Sequence, residues 1–204
     1  MRALKPAVFI ALLGPLAWLV FAAATDRLGA NPAEALIRSS GDWTLRLLCA
    51  TLAVTPLRQW TGWHVLARLR RMLGVATFCY GTLHLLCFAW LDMGLDLAAI
   101  VRDLGKRPFI LVGTAAWLLM LPLAATSFNA AVRRLGAARW HRLHRAVYAV
   151  AGLAVLHFYW MRAGKNDFAE VGVYAAVLGV LLGWRAWRAW RARRLRAAQA
   201  APTS

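Results

Sequence analysis

The chain has 204 residues, of which 61% are hydrophobic, and it carries a formal net charge of +17. Soluble domains are about 45–50% apolar, so this composition indicates a protein that is solvated by lipid rather than by water. The positive charge does not indicate nucleic-acid binding, because the Lys and Arg residues lie in short clusters between long apolar runs. Cys49, Cys79 and Cys87 lie within those runs without CxxC spacing, which indicates neither a disulfide framework nor a metal site.

Six apolar runs predict an all-α fold, a polytopic bundle of six transmembrane helices that forms one domain over 1–204. The first run is close to the roughly 20 residues that span a bilayer, although Ala22-Ala23-Ala24 also resembles a signal-peptide cleavage site. The second run is the shortest; it contains Arg46 and ends near Pro56. We expect helices at about 6–24, 43–57, 73–91, 109–127, 144–160 and 169–187, and a basic cytoplasmic tail at 188–204.

The charged residues predict the orientation of these helices. With the N-terminus inside, the inner segments 1–5, 58–72, 129–145 and 185–204 contain 17 Lys and Arg residues, and the outer segments contain 7. This bias follows the positive-inside rule, and all eight acidic residues fall on the outer side. We therefore expect both termini in the cytoplasm and the protein in a bacterial inner membrane. The C-terminal Arg and Trp residues would contact anionic membrane lipid or a cytoplasmic partner.

Two histidines lie at matching depth in the predicted bundle. Ionisable side chains within spanning helices are costly and mark functional sites by default. Helices three and five run in the same direction, and His84 and His157 both lie about 16–20 Å above the inner surface, at about 1.5 Å per residue. Two imidazoles at one depth could ligate a single haem iron from opposite faces. The alternative is that each histidine only forms a hydrogen bond between helices.

A third histidine, His144, marks the inner end of helix five. It is a candidate ligand of a second haem, about 20 Å from the first along the membrane normal. The helix-three positions where an inner partner would be expected carry Arg70 and Arg71 instead. His64 and His141 lie in the inner loops and are candidates for the missing ligand.

Arg46 lies in predicted helix two, about one turn from its outer end, and is the one basic residue that belongs to neither the inner nor the outer segments. Its side chain could extend to the interface, as long cationic side chains do near helix ends. The alternative is a salt bridge to a haem propionate, which makes Arg46 a candidate propionate contact.

Six segments together resemble one family. They are 70–74 (RRMLG), 80–85 (YGTLHL), 122–127 (PLAATS), 133–136 (RRLG), 140–148 (WHRLHRAVY) and 156–160 (LHFYW). They resemble the haem-binding membrane subunits of protein-methionine-sulfoxide reductases, the MsrQ family, within the ferric-reductase-like transmembrane group. The resemblance covers nearly the whole chain, and its specific part is the joint spacing of three histidines with the Leu-His-Arg block.

The resemblance implies haem b, one or two groups per chain, held by His84, His144 and His157, with electrons taken from the quinone pool. It also implies FMN, although no Gly-rich phosphate loop is present and only the inner arginines offer charge for its phosphate. The implied acceptor is a periplasmic molybdopterin-containing subunit that reduces methionine sulfoxide in envelope proteins. The chain would then be an electron-transfer subunit of an oxidoreductase, with substrate catalysis on the partner.

Other functions are compatible with parts of the sequence. The chain contains no GxGxxG motif followed by an acidic residue, so a quinol or a separate flavoprotein is expected to supply electrons. One alternative is a transmembrane cytochrome b that reduces another acceptor, such as ferric iron. A second is a haem-free small transporter, which predicts an inverted repeat that the sequence lacks. A third is a structural anchor in which the histidines only pack.

Overall fold

A computed structural model describes residues 4–164 and 166–200. Over these residues the regular structure is entirely helical, which confirms the all-α prediction. Arg2, Lys165 and the last four residues of the predicted tail lie outside the described part. The α-helices are α1 (Leu4–Ala24), α2 (Pro32–Thr61), α3 (Arg70–Cys87), α4 (Leu97–Lys106), α5 (Pro108–Ala125), α6 (Asn129–Leu135), α7 (Ala137–His144), α8 (Val147–Ala163) and α9 (Ala169–Ala200). A 3-10 helix (His64–Arg68) precedes α3, and a π-helix (Phe88–Asp92) extends it.

Five helical segments of the described chain are long and apolar enough to cross a membrane. They are Leu4–Ala24, Arg70–Asp92, Pro108–Ala125, Ala137–Ala163 and Ala169–Gln199. They correspond to the first, third, fourth, fifth and sixth predicted helices. The number of spans predicted from the sequence, six, therefore depends on α2.

Helix α2 is twice as long as its predicted counterpart and begins 11 residues earlier, at Pro32. The Asn31 side chain caps its first turn by accepting a hydrogen bond from the Glu34 N–H at 3.1 Å. The helix ends at Gly62, whose φ of 72° is the left-handed conformation that favours glycine. Hydropathy does not reveal the first 11 residues of α2, because polar and charged residues such as Arg38 and Asp42 interrupt the apolar pattern there.

The buried core joins α2, α5, α8 and α9. Helix α2 packs most extensively on α3, and α5 packs most extensively on α8. The central apolar cluster consists of Leu45, Leu48, Leu52, Met120, Val150, Ala151, Phe158, Val171, Leu178 and Leu181. This arrangement holds α2, α3, α5 and α8 around one axis, where the histidines lie.

Three other segments differ from their sequence-based boundaries. The loop after helix three contains the amphipathic helix α4, which Asp96 caps by accepting hydrogen bonds from two backbone N–H groups at 2.8 and 3.0 Å. The predicted fifth helix is preceded by α7, and the two meet at a short break around Arg145. The predicted tail continues α9 as helix to Ala200. Ala and Arg are strong helix formers, which accounts for this extension.

A proline in α2 is compensated by an arginine in α9. Pro56 has no N–H, so the carbonyl of Leu52, four residues earlier, loses its partner within the helix. Arg185 Nη2 donates to that carbonyl at 2.6 Å. The Arg185 side chain is half-buried, and its guanidinium also lies 6.0 Å from the Tyr148 ring centre. Arg185 thereby supplies the hydrogen bond that the Leu52 carbonyl could not obtain from lipid.

The variant Arg185→Met is expected to destabilise the protein by about 1.5–3 kcal/mol, the range for hydrogen bonds to charged groups. In a Pro56→Ala background the new N–H of residue 56 would donate to the Leu52 carbonyl. Arg185→Met should then lower the free energy of unfolding by much less. Denaturant unfolding of the four proteins in neutral detergent measures this coupling. An equal cost of Arg185→Met in both backgrounds would show that the bond does not compensate the proline.

Candidate functional site

A cavity between α2, α3, α5 and α8 contains both His84 and His157. Its wall is mainly apolar, and it includes Leu45, Leu48, Ile110, Ala116, Trp117, Met120 and Val150. Charged side chains lie at one end only, where Arg38, Asp42 and Arg162 line it. We call this space the outer cavity, because it lies toward the predicted outer ends of the four helices.

The two imidazoles face each other inside the outer cavity. Their ring centres are 6.1 Å apart and their planes are inclined at 79°. Metal–imidazole bonds are about 2 Å long. Since a ring centre lies about 1 Å behind the bonding nitrogen, two imidazoles on opposite sides of one metal have centres about 6 Å apart. The observed separation of the ring centres is therefore about that of two imidazoles that share one metal.

Each imidazole is oriented by a hydrogen bond to a backbone carbonyl of a neighbouring helix. His84 Nδ1 donates to the Ile37 carbonyl of α2 at 2.8 Å, and His157 Nδ1 donates to the Phe109 carbonyl of α5 at 2.6 Å. A carbonyl oxygen can only accept, so Nδ1 carries the hydrogen in both rings. The lone pair is then on Nε2, the nitrogen left available for a metal.

A glycine makes each of these two bonds possible. Gly41 follows Ile37 by four residues in α2, and Gly113 follows Phe109 by four residues in α5. A Cβ atom at Gly41 would lie 3.1 Å from the His84 ring, and one at Gly113 would lie 2.7 Å from His157 Nδ1. Each ring thus occupies the space of a missing side chain, beside the carbonyl that it bonds.

His144 lies in a different cavity, which we call the inner cavity. Its wall includes Thr51, Arg70, Arg71, Thr77, Phe78 and Trp140. His144 stacks on the Trp140 ring, with centres 3.9 Å apart, and its Nε2 lies 3.0 Å from Thr126 Oγ1. No second histidine lines this cavity among the described residues, and Arg70 and Arg71 occupy the α3 side.

The two cavities are adjacent. Leu48, Met120 and Val150 line both of them and therefore form a thin apolar partition. Phe78 of the inner cavity stacks on Trp117 of the outer cavity, with ring centres 6.1 Å apart and planes inclined at 19°. The bundle thus contains two stacked sites along its axis.

Three of the candidate residues lie outside both cavities. His64 and His141 are exposed. The His141 and Trp140 rings lie edge to face, with their centres 5.1 Å apart. Arg46 points toward α9: its Nε donates to the Tyr174 hydroxyl at 3.3 Å, and its guanidinium covers the Trp43 ring at 5.0 Å. The prediction that Arg46 contacts a propionate thus concerns a side chain that does not line the outer cavity.

The arginines that do line the outer cavity are Arg38 and Arg162. The sequence placed both in outer loops. Arg162 is only 12% exposed and pairs with Asp167 at 3.0 Å and Glu170 at 2.7 Å. Within the described chain its Nε atom is buried without a hydrogen-bond partner. The sequence alone could have indicated Arg38. It lies at helical spacing from positions 41, 45, 48 and 52, and so on the same face of α2.

These residues fit a haem group. The outer cavity offers two imidazoles whose Nε2 atoms are unprotonated, an apolar wall for a porphyrin, and cations at one end for carboxylates. The unpartnered N–H of Arg162 is the kind of donor that a propionate would accept. The inner cavity fits less completely, because His144 is its one described imidazole.

Comparison with known proteins identifies similar chains. Residues 40–155 match the family described as ferric reductase like transmembrane component. The chain is 61% identical over 183 residues to the protein-methionine-sulfoxide reductase heme-binding subunit MsrQ of Polaromonas naphthalenivorans, covering 90% of this chain and 84% of that one. The MsrQ proteins of Ralstonia nicotianae (60% identity; 91% and 85% covered) and Bordetella pertussis (54%; 89% and 88%) are also similar. No solved structure matches the chain.

The glycine contacts yield a graded prediction. Gly113→Ala should displace the His157 ring and lower the haem content of the purified protein by more than half, whereas Gly41→Ala should have a smaller effect, because its contact is longer. Gly152→Ala in α8 is the control, since a Cβ there meets nothing within 4 Å. Absorbance of the Soret band per mole of protein measures the result. If the Gly113 and Gly152 variants bind equal amounts of haem, the close contact between Gly113 and the His157 ring has no role in haem binding.

Proposed function

This chain belongs to the MsrQ family of ferric-reductase-like transmembrane components, and we propose that it is the haem-carrying, electron-transferring membrane subunit of a methionine sulfoxide reductase system. The observation that carries the proposal is the pair His84 and His157, whose rings face each other at 6.1 Å. Their Nδ1 atoms are both occupied by backbone carbonyls, so both Nε2 atoms are free to bind one iron.

His84 and His157 are the residues that would hold a haem b in the outer cavity. Haem, when bound there, would supply a one-electron carrier in a site lined mainly by apolar side chains. The hydrogen bonds to Ile37 and Phe109 keep both rings in the ligating tautomer and raise their basicity. Arg162 and Arg38 are the proposed partners of the propionates, in place of Arg46.

We propose six membrane spans with both termini in the cytoplasm, α2 being the sixth. The order of lining residues along each helix supports this number. From the outer cavity to the inner one, residue numbers rise along α2 and α5 but fall along α3 and α8. Neighbouring helices thus alternate in direction, as expected if α2 crosses the bilayer between α1 and α3. The positive-inside bias supports this orientation, and the likeness to bacterial MsrQ proteins supports the inner-membrane location.

The inner cavity is the proposed entry side for electrons. His144 offers an imidazole for a second haem, and Arg70 and Arg71 offer cations for the phosphate of FMN. The proposed donor is the quinone pool, which reaches this side from within the bilayer. The partition of Leu48, Met120 and Val150 and the stacked pair Phe78–Trp117 would keep the two sites in close contact without water between them.

The proposed acceptor is a periplasmic molybdopterin-containing subunit, on which methionine sulfoxide is reduced. The outer cavity supports this direction, because its charged end faces the side where such a subunit would dock. The acidic residues Asp167 and Glu170 surround Arg162 at that end. Substrate chemistry is assigned to the partner, so the chain itself acts as an electron carrier.

Removal of either outer histidine should abolish the outer haem. His84→Ala and His157→Ala are each expected to lose most of the corresponding Soret absorbance, because each substitution removes one of the two imidazoles that would hold the haem. His64→Ala, at an exposed position, is the matched control and should leave the spectrum unchanged. A Soret band that survives both cavity substitutions would exclude the proposed ligand pair.

His144 allows the inner site to be tested separately. If the inner cavity holds a second haem, His144→Ala should halve the haem content and leave the spectrum of the remaining haem unchanged. Haem is quantified per mole of purified protein, and bound flavin is measured on the same samples by fluorescence. Unchanged haem content in the variant would remove the second haem from the account and leave His144 as a structural partner of Thr126.

A further inference from the structure

A groove lies between the last turn of α2 and the second half of α9. Its lining includes Gln59, Trp60, Trp184, Trp187, Arg188 and Arg191. Trp60 and Trp184 meet edge to face across it, with ring centres 5.7 Å apart. The groove is separate from both histidine cavities and shares no lining residue with them.

The arginines of this groove are held by tryptophans rather than by carboxylates. The Arg188 guanidinium covers the Trp184 ring at 5.2 Å, and the Arg191 guanidinium covers the Trp187 ring at 5.5 Å. A guanidinium that stacks on an indole uses its flat face, so its N–H groups, which lie in the plane, remain free to donate. Neither contact uses the N–H groups of its guanidinium, which can therefore donate to an anion.

Among the residues that the structure describes, no acidic side chain forms an ion pair with these cations. All eight Asp and Glu residues of the sequence occur at or before Glu170, so the remainder of α9 carries arginines alone. In the described part of the chain the ion pairs involve Arg38, Arg107 and Arg162, all remote from the groove in sequence. The groove therefore combines exposed indole surface with uncompensated positive charge.

The position of the groove along α9 matches a membrane surface. Trp184 and Arg188 lie about 22 and 28 Å along the helix from Ala169, at about 1.5 Å per residue. The hydrocarbon core of a bilayer is about 30 Å thick. Under the proposed orientation, Arg188 lies at the inner edge of that core and Arg191, about 33 Å from Ala169, lies in the headgroup layer, while Trp184 lies within the core close to that edge. Trp60 is 61% exposed and Trp187 is 50% exposed, so both rings are accessible to lipid.

We propose that this groove is a binding site for an anionic phospholipid of the cytoplasmic leaflet. Arg188 and Arg191 bind the headgroup phosphate, and Trp60, Trp184 and Trp187 contact the glycerol and the first acyl carbons. Basic pockets between helices on the cytoplasmic side are suited to such headgroups. The site fastens α9 to α2 through the lipid, and it depends on the proposed orientation but not on haem.

Two matched double variants test the site in the full-length protein in neutral detergent. Arg188→Gln with Arg191→Gln alters the groove, and Arg193→Gln with Arg196→Gln removes the same charge at the same spacing from outside it. Phosphatidylglycerol binding is measured by native mass spectrometry. The groove variant should bind about 30-fold more weakly, since each cation near an anionic surface contributes about fivefold. The control variant should stay within about twofold of the wild type.

If both double variants weaken phosphatidylglycerol binding equally, the lipid is attracted to the whole charged helix and the proposed site is wrong. The proposed site is also wrong if neither variant changes binding. Phosphatidylcholine that binds as tightly as phosphatidylglycerol would exclude recognition of an anionic headgroup. Glycerol phosphate that displaces the lipid at equal concentration would identify a site for a soluble phosphate instead. Arg188→Lys with Arg191→Lys keeps the charge but replaces each planar guanidinium with an ammonium group. This variant should weaken phosphatidylglycerol binding by an intermediate amount.

Discussion

Two hydrogen bonds from imidazole N–H groups to helix carbonyls determine the chemistry of the outer cavity. His84 reaches the Ile37 carbonyl, and His157 reaches the Phe109 carbonyl. A carbonyl inside a helix already accepts one bond from the residue four positions later, and only its second lone pair is open. In both cases that later residue is a glycine, which leaves the approach clear. The same local device therefore appears once on α2 and once on α5, and it presents two Nε2 atoms to one space.

This device explains why the bundle contains a helix as polar as α2. One of the two anchoring carbonyls belongs to it, as does Arg38 at the charged end of the cavity. Burial against α3 and α9 compensates for the low hydropathy of α2. At the other end of α2, Pro56 leaves the Leu52 carbonyl without its helical partner, and Arg185 donates a hydrogen bond to that carbonyl instead. The polar features of α2 thus serve the site at one end and the fold at the other.

The sequence predicted the apolar helices well, because length and hydropathy are sufficient for a segment that faces lipid. It also placed His84 and His157 at one depth, because the depth of a residue depends only on the rise and direction of its helix. It did not predict the roles of Gly41 and Gly113, since these arise from contacts with His84 and His157, which lie 43 and 44 residues later in the chain. Nor did it indicate that Arg38, rather than Arg46, lines the cavity, because which arginine of α2 faces the cavity depends on the rotation of the helix, which packing decides.

The central claim is that one iron lies between His84 and His157. A density map of the purified haem-loaded protein in a lipid nanodisc, obtained by electron cryomicroscopy, tests it most directly. The account predicts an iron about 2 Å from the Nε2 atoms of both residues, with each Nδ1 still bonded to its helix carbonyl. An iron that binds only one of these histidines, or a haem ligated by other residues, would contradict it.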